Sequence, residues 1–351
     1  MKRIELVDAM KTVVEGIEKS LEGMDYALFE DGWVRSFSDY ISVSYPLNTG
    51  LRCAVKAKEF YQLVSLMEGE DLELVEDDQF ITITGGGTTA KLVKMEAERL
   101  AAFKVKILSL QTDGLIWFAI PQEFNDAADF CRLSAGKEGR LEGVGFAGTH
   151  ILSSDNLMAS HYSGNVDLGN FNIDGGVLAP LLRISSEWKF ACKDSQWLHL
   201  KEDKNLIASG KIWAGENYPS DQLLKLFAPS PEKRDVYEFP KGIIRMLERA
   251  AVFAGIGELE SLSHVTLKRV GSELIISGTK ENVGSIEEKL PWPEKAMPES
   301  FELIVTPKYL AKILAKSLEF SAGSKSIMFS FGNFQHTQVA RKITADQTVP
   351  F

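Results

Sequence analysis

The chain has 351 residues, a length that suits two or three domains rather than one core. Apolar residues make up 44% and charged residues 25%, the composition of a folded protein, which excludes wholesale disorder. With 39 Lys+Arg against 49 Asp+Glu the net charge is −10, so any contact with nucleic acid needs a local basic surface. Three cysteines, Cys53, Cys131 and Cys192, lie far apart without a CxxC pair, which fits a reducing cytoplasm and argues against structural zinc. No apolar run approaches the roughly 20 residues of a membrane helix. Charges spread through MKRIELVDAMKTVVEGI are not those of a signal peptide. A soluble cytoplasmic protein without membrane contact is expected.

The predicted elements recur in one order: helix, strands, second helix, strands. In the first third, Leu6, Val7, Met10, Val13, Val14 and Ile17 share a helix face. YALFED, GWVRSFS and YISVSYPL follow as strands, with Asp31-Gly32 as a turn. A second helix carries Phe60, Leu63, Val64 and Met67, ahead of the strands DLELVED, QFITITG and TTAKLVKM. In the middle third LIWFAIP leads into a helix over PQEFNDAADFCRLS, then the strands LEGVGFAG and HILSSD. NFNIDGGVLAPLLRI holds a short helix before the strands WKFACKD, WLHLKED and LIASGKIW. In the last third VYEFP enters the helix KGIIRMLERAAVFA, with Pro240 at its start, where a missing N–H costs nothing. HVTLKRV and ELIISGTK are strands, and FELIV opens the helix KYLAKILAKSL through Thr306-Pro307. SIMFSFG and FQHTQV then lead to TADQTVPF. Connector composition near QTDG and in APSPEKRD gives domains over 1–112, 113–230 and 231–351. The expected fold class is α+β with three similar domains.

Familiar chemical motifs are weak here. Gly85-Gly86-Gly87 follows a strand, as a phosphate loop would, but leads into another strand, so a hairpin turn is the plainer reading. His150, His161, His199, His264 and His336 are scattered, with no ligand spacing. Ser153-Ser154-Asp155 lacks the elbow of a nucleophilic serine. Glu287 and Glu288, adjacent on a strand, point to opposite faces. No catalytic residue, metal or cofactor is expected, and three similar domains without one suggest a scaffold.

The cations are more telling. After Pro240, Ile243, Ile244, Leu247 and Ala251 form an apolar face, opposite Lys241, Arg245 and Arg249. Near Tyr309, Leu310, Ile313 and Leu314 face inward, leaving Lys308 and Lys312 outside and Lys316 on the flank. Lys58 and Gln62 are outward on the second helix of the first third. A charge stripe is ordinarily a solvated face; several stripes on equivalent helices of an acidic chain suit a phosphate-tracking surface. The surface would be uneven. Glu5, Asp8, Glu15 and Lys19 are outward on the first helix, and Gln122, Asn125, Asp126 and Asp129 on that of the middle third.

The order of elements, over essentially the whole chain, resembles the bacterial DNA sliding clamp, the beta subunit of DNA polymerase III. FPKGIIRMLERAAVFA, the strand pair ending TKENVGSIEEKL, and FELIVTPKYLAKILAKSL are similar to the third domain of that family. Leu152-Ser153-Ser154-Asp155-Asn156-Leu157-Met158-Ala159 is similar to its Ala-Thr-Asp-Gly-His-Arg-Leu segment, shortened and without Gly-His-Arg. ENYPSDQLL is similar to the segment that ends its second domain. A divergent member, such as one encoded by a bacteriophage, accounts for the departures.

The resemblance implies domains of two α-β-β-β halves, with helices lining a ring interior and sheets outside. Two chains would form a homodimeric ring around double-stranded DNA, without sequence preference, and a clamp loader would open it. Lys58, Lys241, Arg245, Arg249, Lys308 and Lys312 would face the duplex. A cleft for a short peptide of a DNA polymerase would use Ser154, Asp155, Leu157, Met158, Pro219, Leu223, Leu224, Leu262, Thr306 and Tyr309. Val349, Pro350 and Phe351 would join it from a tail shorter than the family's Met-Pro-Met-Arg-Leu. By residue type alone, Leu157, Met158, Leu223, Leu224 and Tyr309 fit a core better than a cleft, and Pro219 fits a strand end. The seam between chains is expected at sheet edges, beside QFITITG in the first domain and at HVTLKRV or ELIISGTK in the third. The expected function is a processivity factor with no enzymatic activity. Two rivals stay open: a clamp-like scaffold that binds protein without encircling DNA, and a nucleic-acid hydrolase, which would need a carboxylate or metal cluster.

Overall fold

Helical spacing and strand alternation are realised along most of the chain as a mixed α+β fold. The computed structural model describes residues 1–17, 23–110, 112, 114–228, 235–254, 264–292, 301–323 and 326–340. In chain order, α1 (Arg3–Val13) leads to β1 (Tyr26–Glu30), β2 (Trp33–Phe37), β3 (Ile41–Pro46) and β4 (Cys53–Lys56). Next come α2 (Ala57–Leu66), β5 (Glu73–Glu76), β6 (Phe80–Gly85), β7 (Thr88–Val93) and α3 (Ala97–Leu108). β8 (Phe118–Ala119), α4 (Phe124–Arg132), β9 (Val144–Ala147), β10 (His150–Ser154) and β11 (Met158–Ser163) follow. Then β12 (Asn170–Ile173), α5 (Gly175–Ile184), β13 (Phe190–Lys193), β14 (Trp197–Lys201), β15 (Ile207–Lys211), β16 (Trp213–Ala214) and α6 (Ser220–Phe227). The chain continues through β17 (Asp235–Glu238), α7 (Ile243–Ala250), β18 (Val265–Val270), β19 (Glu273–Lys280) and β20 (Gly284–Pro291). It ends with β21 (Glu302–Val305), α8 (Pro307–Leu314), β22 (Glu319–Ala322), β23 (Ser326–Phe331) and β24 (Phe334–Val339).

Two compact units form: Met1–Asp129 with Asn170–Asn217, and Phe130–Gly169 with Tyr218–Phe351. The first holds an eight-stranded sheet, β4-β1-β2-β3-β15-β14-β13-β8, and the three-stranded β5-β6-β7. β3 and β15 pair antiparallel through Ser42↔Ser209 and Val43↔Ala208. α1 packs against α2 and buries Leu6, Ala9, Met10 and Val13. On β1, Phe29 meets Phe60 of α2 at 5.2 Å between ring centres. Its neighbour Leu28 therefore points to the other face, where α3 buries Phe103 and Ile107 among Met24, Phe37, Ala54, Met95 and Trp197. α3 is an addition to the expected plan. Gly85-Gly86-Gly87 is the expected hairpin turn between β6 and β7, with φ of +57° and +78° at Gly86 and Gly87. A side chain on Gly86 would also strike the Glu68 backbone.

In the second unit the order β9-β10-β11-β24-β23-β22-β17 makes one sheet and β20-β19-β18-β21 another. β11, absent from the expected strands, pairs with β24 through Ser160↔His336 and His161↔Gln335. α7 and α8 pack together, with α7 on β19 and β20. α7 starts at Ile243, after Gly242 in the left-handed region (φ +101°), rather than at Pro240. Its buried face is accordingly Ile243, Met246, Leu247 and Ala250, not Ile243, Ile244, Leu247 and Ala251. Below it lies an aromatic core in which Phe239 stacks on Trp292 at 5.5 Å and meets Phe320 at 4.6 Å. α6, a second unforeseen helix, packs Leu223 and Phe227 on Leu152, Ala159 and Tyr218.

One rule runs through both units. A strand–strand–strand meander joins its third strand to the third strand of another: β3 to β15, and β11 to β24. β7 and β20 occupy the same third position, and each ends its own sheet. The expected edges HVTLKRV and ELIISGTK are β18 and β19, which lie inside the four-stranded sheet; the edge beside them is β20. Both of their sides are already taken by strand pairing.

Candidate nucleic-acid and peptide interfaces

Because α7 buries one stripe, Arg245 and Arg249, spaced by four, share its exposed side, while Lys241, expected on the same face, is exposed in the turn before Gly242 and lies outside the helix. α8 starts with Pro307 after Thr306 and buries Pro307, Leu310, Ile313 and Leu314. Lys308 and Lys312 are left exposed, with Lys316 just past the helix end. Four of the six cations expected at DNA thus sit on one packed helix pair of the second unit, and Lys241 lies just before α7. The sixth, Lys58, is exposed on α2 of the first unit, beside exposed Glu59 and Gln62. Arg249 is engaged: its Nε donates to Glu288 Oε2 at 2.9 Å and its Nη2 to Glu288 Oε1. That hydrogen-bonded pairing holds the Glu288 carboxyl below the usual range. Sequence alone gave no sign of it, since the partner comes from β20.

The residues expected outward on the first helices of the first and middle thirds fall there only in part. Glu5, Asp8, Gln122 and Asp126 are exposed, and Asn125 and Asp129 are half-buried. Asn125 donates to Ser185 O at 3.4 Å. Glu15 is paired with Arg183 of α5 at 2.8 Å. Lys19 lies outside the described residues.

The peptide-cleft residues divide into three groups within the second unit. Ser154, Asp155, Leu157 and Met158 form the β10–β11 turn. Ser154 Oγ donates to Met158 O at 2.9 Å, and Asp155 Oδ1 accepts the Leu157 and Met158 N–H groups, each at 2.9 Å. Asp155 is thereby committed to shaping the turn, with Asn156 at φ +73°, and its burial pushes the carboxyl pKa up. Leu157 is left 54% exposed, too open for a core residue. Val339 N donates to Leu157 O at 2.8 Å, which places the end of β24 at this turn.

Pro219, Leu223 and Leu224 belong to α6. Pro219 caps it with its carbonyl, which accepts the Leu223 N–H at 3.0 Å. Leu223 is buried in the α6 core, whereas Leu224 is only partly buried there. Leu223 therefore fits the core reading. The preceding Tyr218 explains the ENYPSD phrase: its ring lies on Gly145 of β9, where no side chain fits, and its hydroxyl donates to Leu152 O at 3.2 Å. Neither Tyr218 nor Gly145 was singled out from the sequence.

Thr306 and Tyr309 form the third group. Thr306 is buried ahead of α8, its Oγ1 3.4 Å from His264 Nδ1, and Tyr309 is half-buried. Gln338, paired with Met158 across the β11–β24 join, donates to Ile304 O at 3.3 Å and so links the turn to the strand before Thr306. Leu262, Val349, Pro350 and Phe351 lie outside the described residues.

Other reactive side chains are held inert or paired. Burial pushes the Cys53 and Cys192 thiols up to about 12, and Cys131 upward too. Among the described residues no group of three or more His, Cys, Asp or Glu could hold a metal ion. Two buried histidines, His161 and His336, serve the β11–β24 join, whereas buried His199 lies on β14 with Nδ1 2.8 Å from Ser209 Oγ. Ser160 Oγ is 2.9 Å from His336 Nδ1 and 2.6 Å from Ser134 Oγ, while His161 lies between His150 at 3.0 Å and Gln335 at 2.9 Å. Burial lowers the pKa of His161, and takes that of His336 down to about 3.

No protein-family model and no curated protein matches the sequence. Solved structures do. The DNA polymerase III beta subunit of Thermotoga maritima is similar at 14% identity and TM-score 0.69, over 98% of this chain and 99% of that one. The DNA polymerase sliding clamp of Bacillus subtilis is similar at 14% identity and TM-score 0.70, over 98% of each chain. The sliding clamp of Bartonella birtlesii, bound to griselimycin, gives 14% identity and TM-score 0.72, again over 98% of each. Over 98% of its length, the chain has the fold of the bacterial DNA sliding clamp.

Proposed function

We propose that this chain is a DNA sliding clamp, a processivity factor that encircles duplex DNA and tethers a replicative polymerase without chemistry of its own. The observation that carries this reading is the likeness to clamps over 98% of this chain and 98–99% of theirs. Encirclement suits an acidic protein, because retention comes from a closed path rather than from charge. Arg245 of α7 and Lys308 and Lys312 of α8 would touch phosphate, with Lys241 beside them, so no base preference is expected.

On this reading the domains are 1–112, 113–230 and 231–351, and two chains supply six. Pairing across the β3–β15 and β11–β24 joins ties neighbouring domains, which accounts for two compact units rather than three. A homodimer would close by the same rule, β20 of one protomer beside β7 of its partner, which removes two open strand edges. A complex of twice the 38.9 kDa chain mass is expected by sedimentation; a monomer at micromolar concentration would contradict the ring.

A clamp loader would open the ring, and the setting would be the cytoplasm. Among the described residues no helix is long and apolar enough to cross a membrane. A polymerase peptide with an apolar anchor would dock at Leu157, Met158, Leu224 and Tyr309, with Asp155 and Thr306 shaping the floor. Leu157→Ala and Tyr309→Ala should each weaken peptide binding by about 1–3 kcal/mol in calorimetry, with duplex retention unchanged. Wild-type affinity in both variants would remove the cleft from this position. Neither the hydrolase nor the protein-only scaffold gains support from the fold.

A further inference from the structure

Arg249 differs from the two cations that precede it, Arg245 on α7 and Lys241 in the turn before it. Among the described residues Lys241 and Arg245, eight and four positions earlier, form no ion pair, whereas Arg249 is gripped at two atoms by Glu288. We infer that Glu288 is an attenuating residue of the duplex-binding face, which withholds Arg249 from DNA phosphate and so sets how tightly the protein grips. The inference rests on the clamp reading above.

The position of Glu288 is the first argument. Along β20, Ile286, Glu288 and Leu290 are half-buried, while Ser285, Glu287 and Lys289 are exposed. A carboxylate therefore stands in the helix-facing row, between two aliphatic residues, where an apolar side chain would ordinarily go. Arg249 is what accommodates it. The second argument is stoichiometric. Nε and Nη2 are the fork with which an arginine takes two phosphate oxygens, and here both are already donating. Arg249 cannot serve carboxylate and phosphate together through that fork. The third is competition. α7 packs on β20, so Glu288 is presented intramolecularly, at an effective concentration that a passing phosphate must overcome. With side-chain exposures of 55% for Arg249 and 29% for Glu288, water screens the pair and its strength is modest. It would weaken the grip rather than abolish it, which suits a ring that must slide.

The test is a salt series of duplex binding by fluorescence anisotropy, with the full chain and a short duplex of arbitrary sequence. Arg249→Gln should leave affinity within about twofold of wild type. Glu288→Gln should tighten binding roughly two- to fivefold at low salt and steepen the salt slope by about 0.9 per protomer. The double variant should return to the wild-type value, because the gain runs through Arg249. The inference is overturned if Arg249→Gln weakens binding as much as Arg245→Gln does. It is equally overturned if Glu288→Gln has no effect, or gives the same gain in both backgrounds, since Glu288 would then act only through its charge. Failure of the clamp reading shows separately: Arg245→Gln would leave binding unchanged.

Discussion

The α1–α2 pair of the first unit and the α7–α8 pair of the second have a similar construction and different surfaces, one mixed and one mostly basic. Each is two helices packed together, with an apolar stripe turned onto a sheet. Outward, α1 and α2 show Ile4, Glu5, Asp8, Lys11, Lys58, Glu59, Gln62 and Leu66, a mixed face with Leu66 83% exposed. α7 and α8 show Arg245, Arg249, Lys308 and Lys312 against Glu248, with Lys241 exposed just before α7. Packing constrains the buried stripe and leaves the outward one free, so the two pairs differ where function would be read. Duplex binding should then come from the second pair alone.

The largest expected effect breaks that asymmetry directly. Reversing Lys241, Arg245 and Lys312 to Glu should cut duplex affinity by at least about a hundredfold at low salt and flatten the salt slope by about 0.9 for each phosphate no longer neutralised. Reversing Lys11 and Lys58 should change affinity less than about threefold. Equal reductions in the two sets would show that both pairs face DNA.

What the sequence disclosed follows the same division. Apolar periodicity marked α1, α2, α7 and α8 because their stripes are simple. β11 was hidden because it lies inside a join, where Ser160 and His161 are buried and hydrogen-bonded rather than apolar. α3 shows helical spacing at Leu100, Phe103 and Ile107, yet it lies in a stretch that a two-helix plan assigns to connector. Residue type did not tell Leu157, which the β10–β11 turn leaves exposed, from Leu223, whose burial depends on α6 folding back onto β10. The Arg249–Glu288 pair joins residues on separate elements, which no local pattern records.

A smaller effect sharpens the comparison between units through pH. His336 and His161, both in the second unit, are buried without a carboxylate partner in their hydrogen bonds, whereas His199 of the first unit has Asp194 at 3.4 Å. For all three the folded pKa is lowered, mainly by burial. The unfolded chain then binds protons first, so stability is complete above the unfolded value near 6.5 and falls as pH drops toward the folded one. For His336, with a folded value of about 3, the loss is about 1.4 kcal/mol per pH unit below roughly pH 6. Hydrogen exchange between pH 7 and about pH 4.5 should therefore show β11 and β24 losing protection before β3 and β15, once corrected for the intrinsic rate. Simultaneous loss would mean the histidine network does not set acid stability.

The central claim is a closed path around DNA. The direct measurement is retention of the loaded protein on nicked circular DNA, before and after a single cut linearises the circle, at a salt concentration that suppresses phosphate binding. A ring stays on the circle and is lost from the cut molecule by sliding off its ends. Equal loss from circular and linear DNA would contradict encirclement.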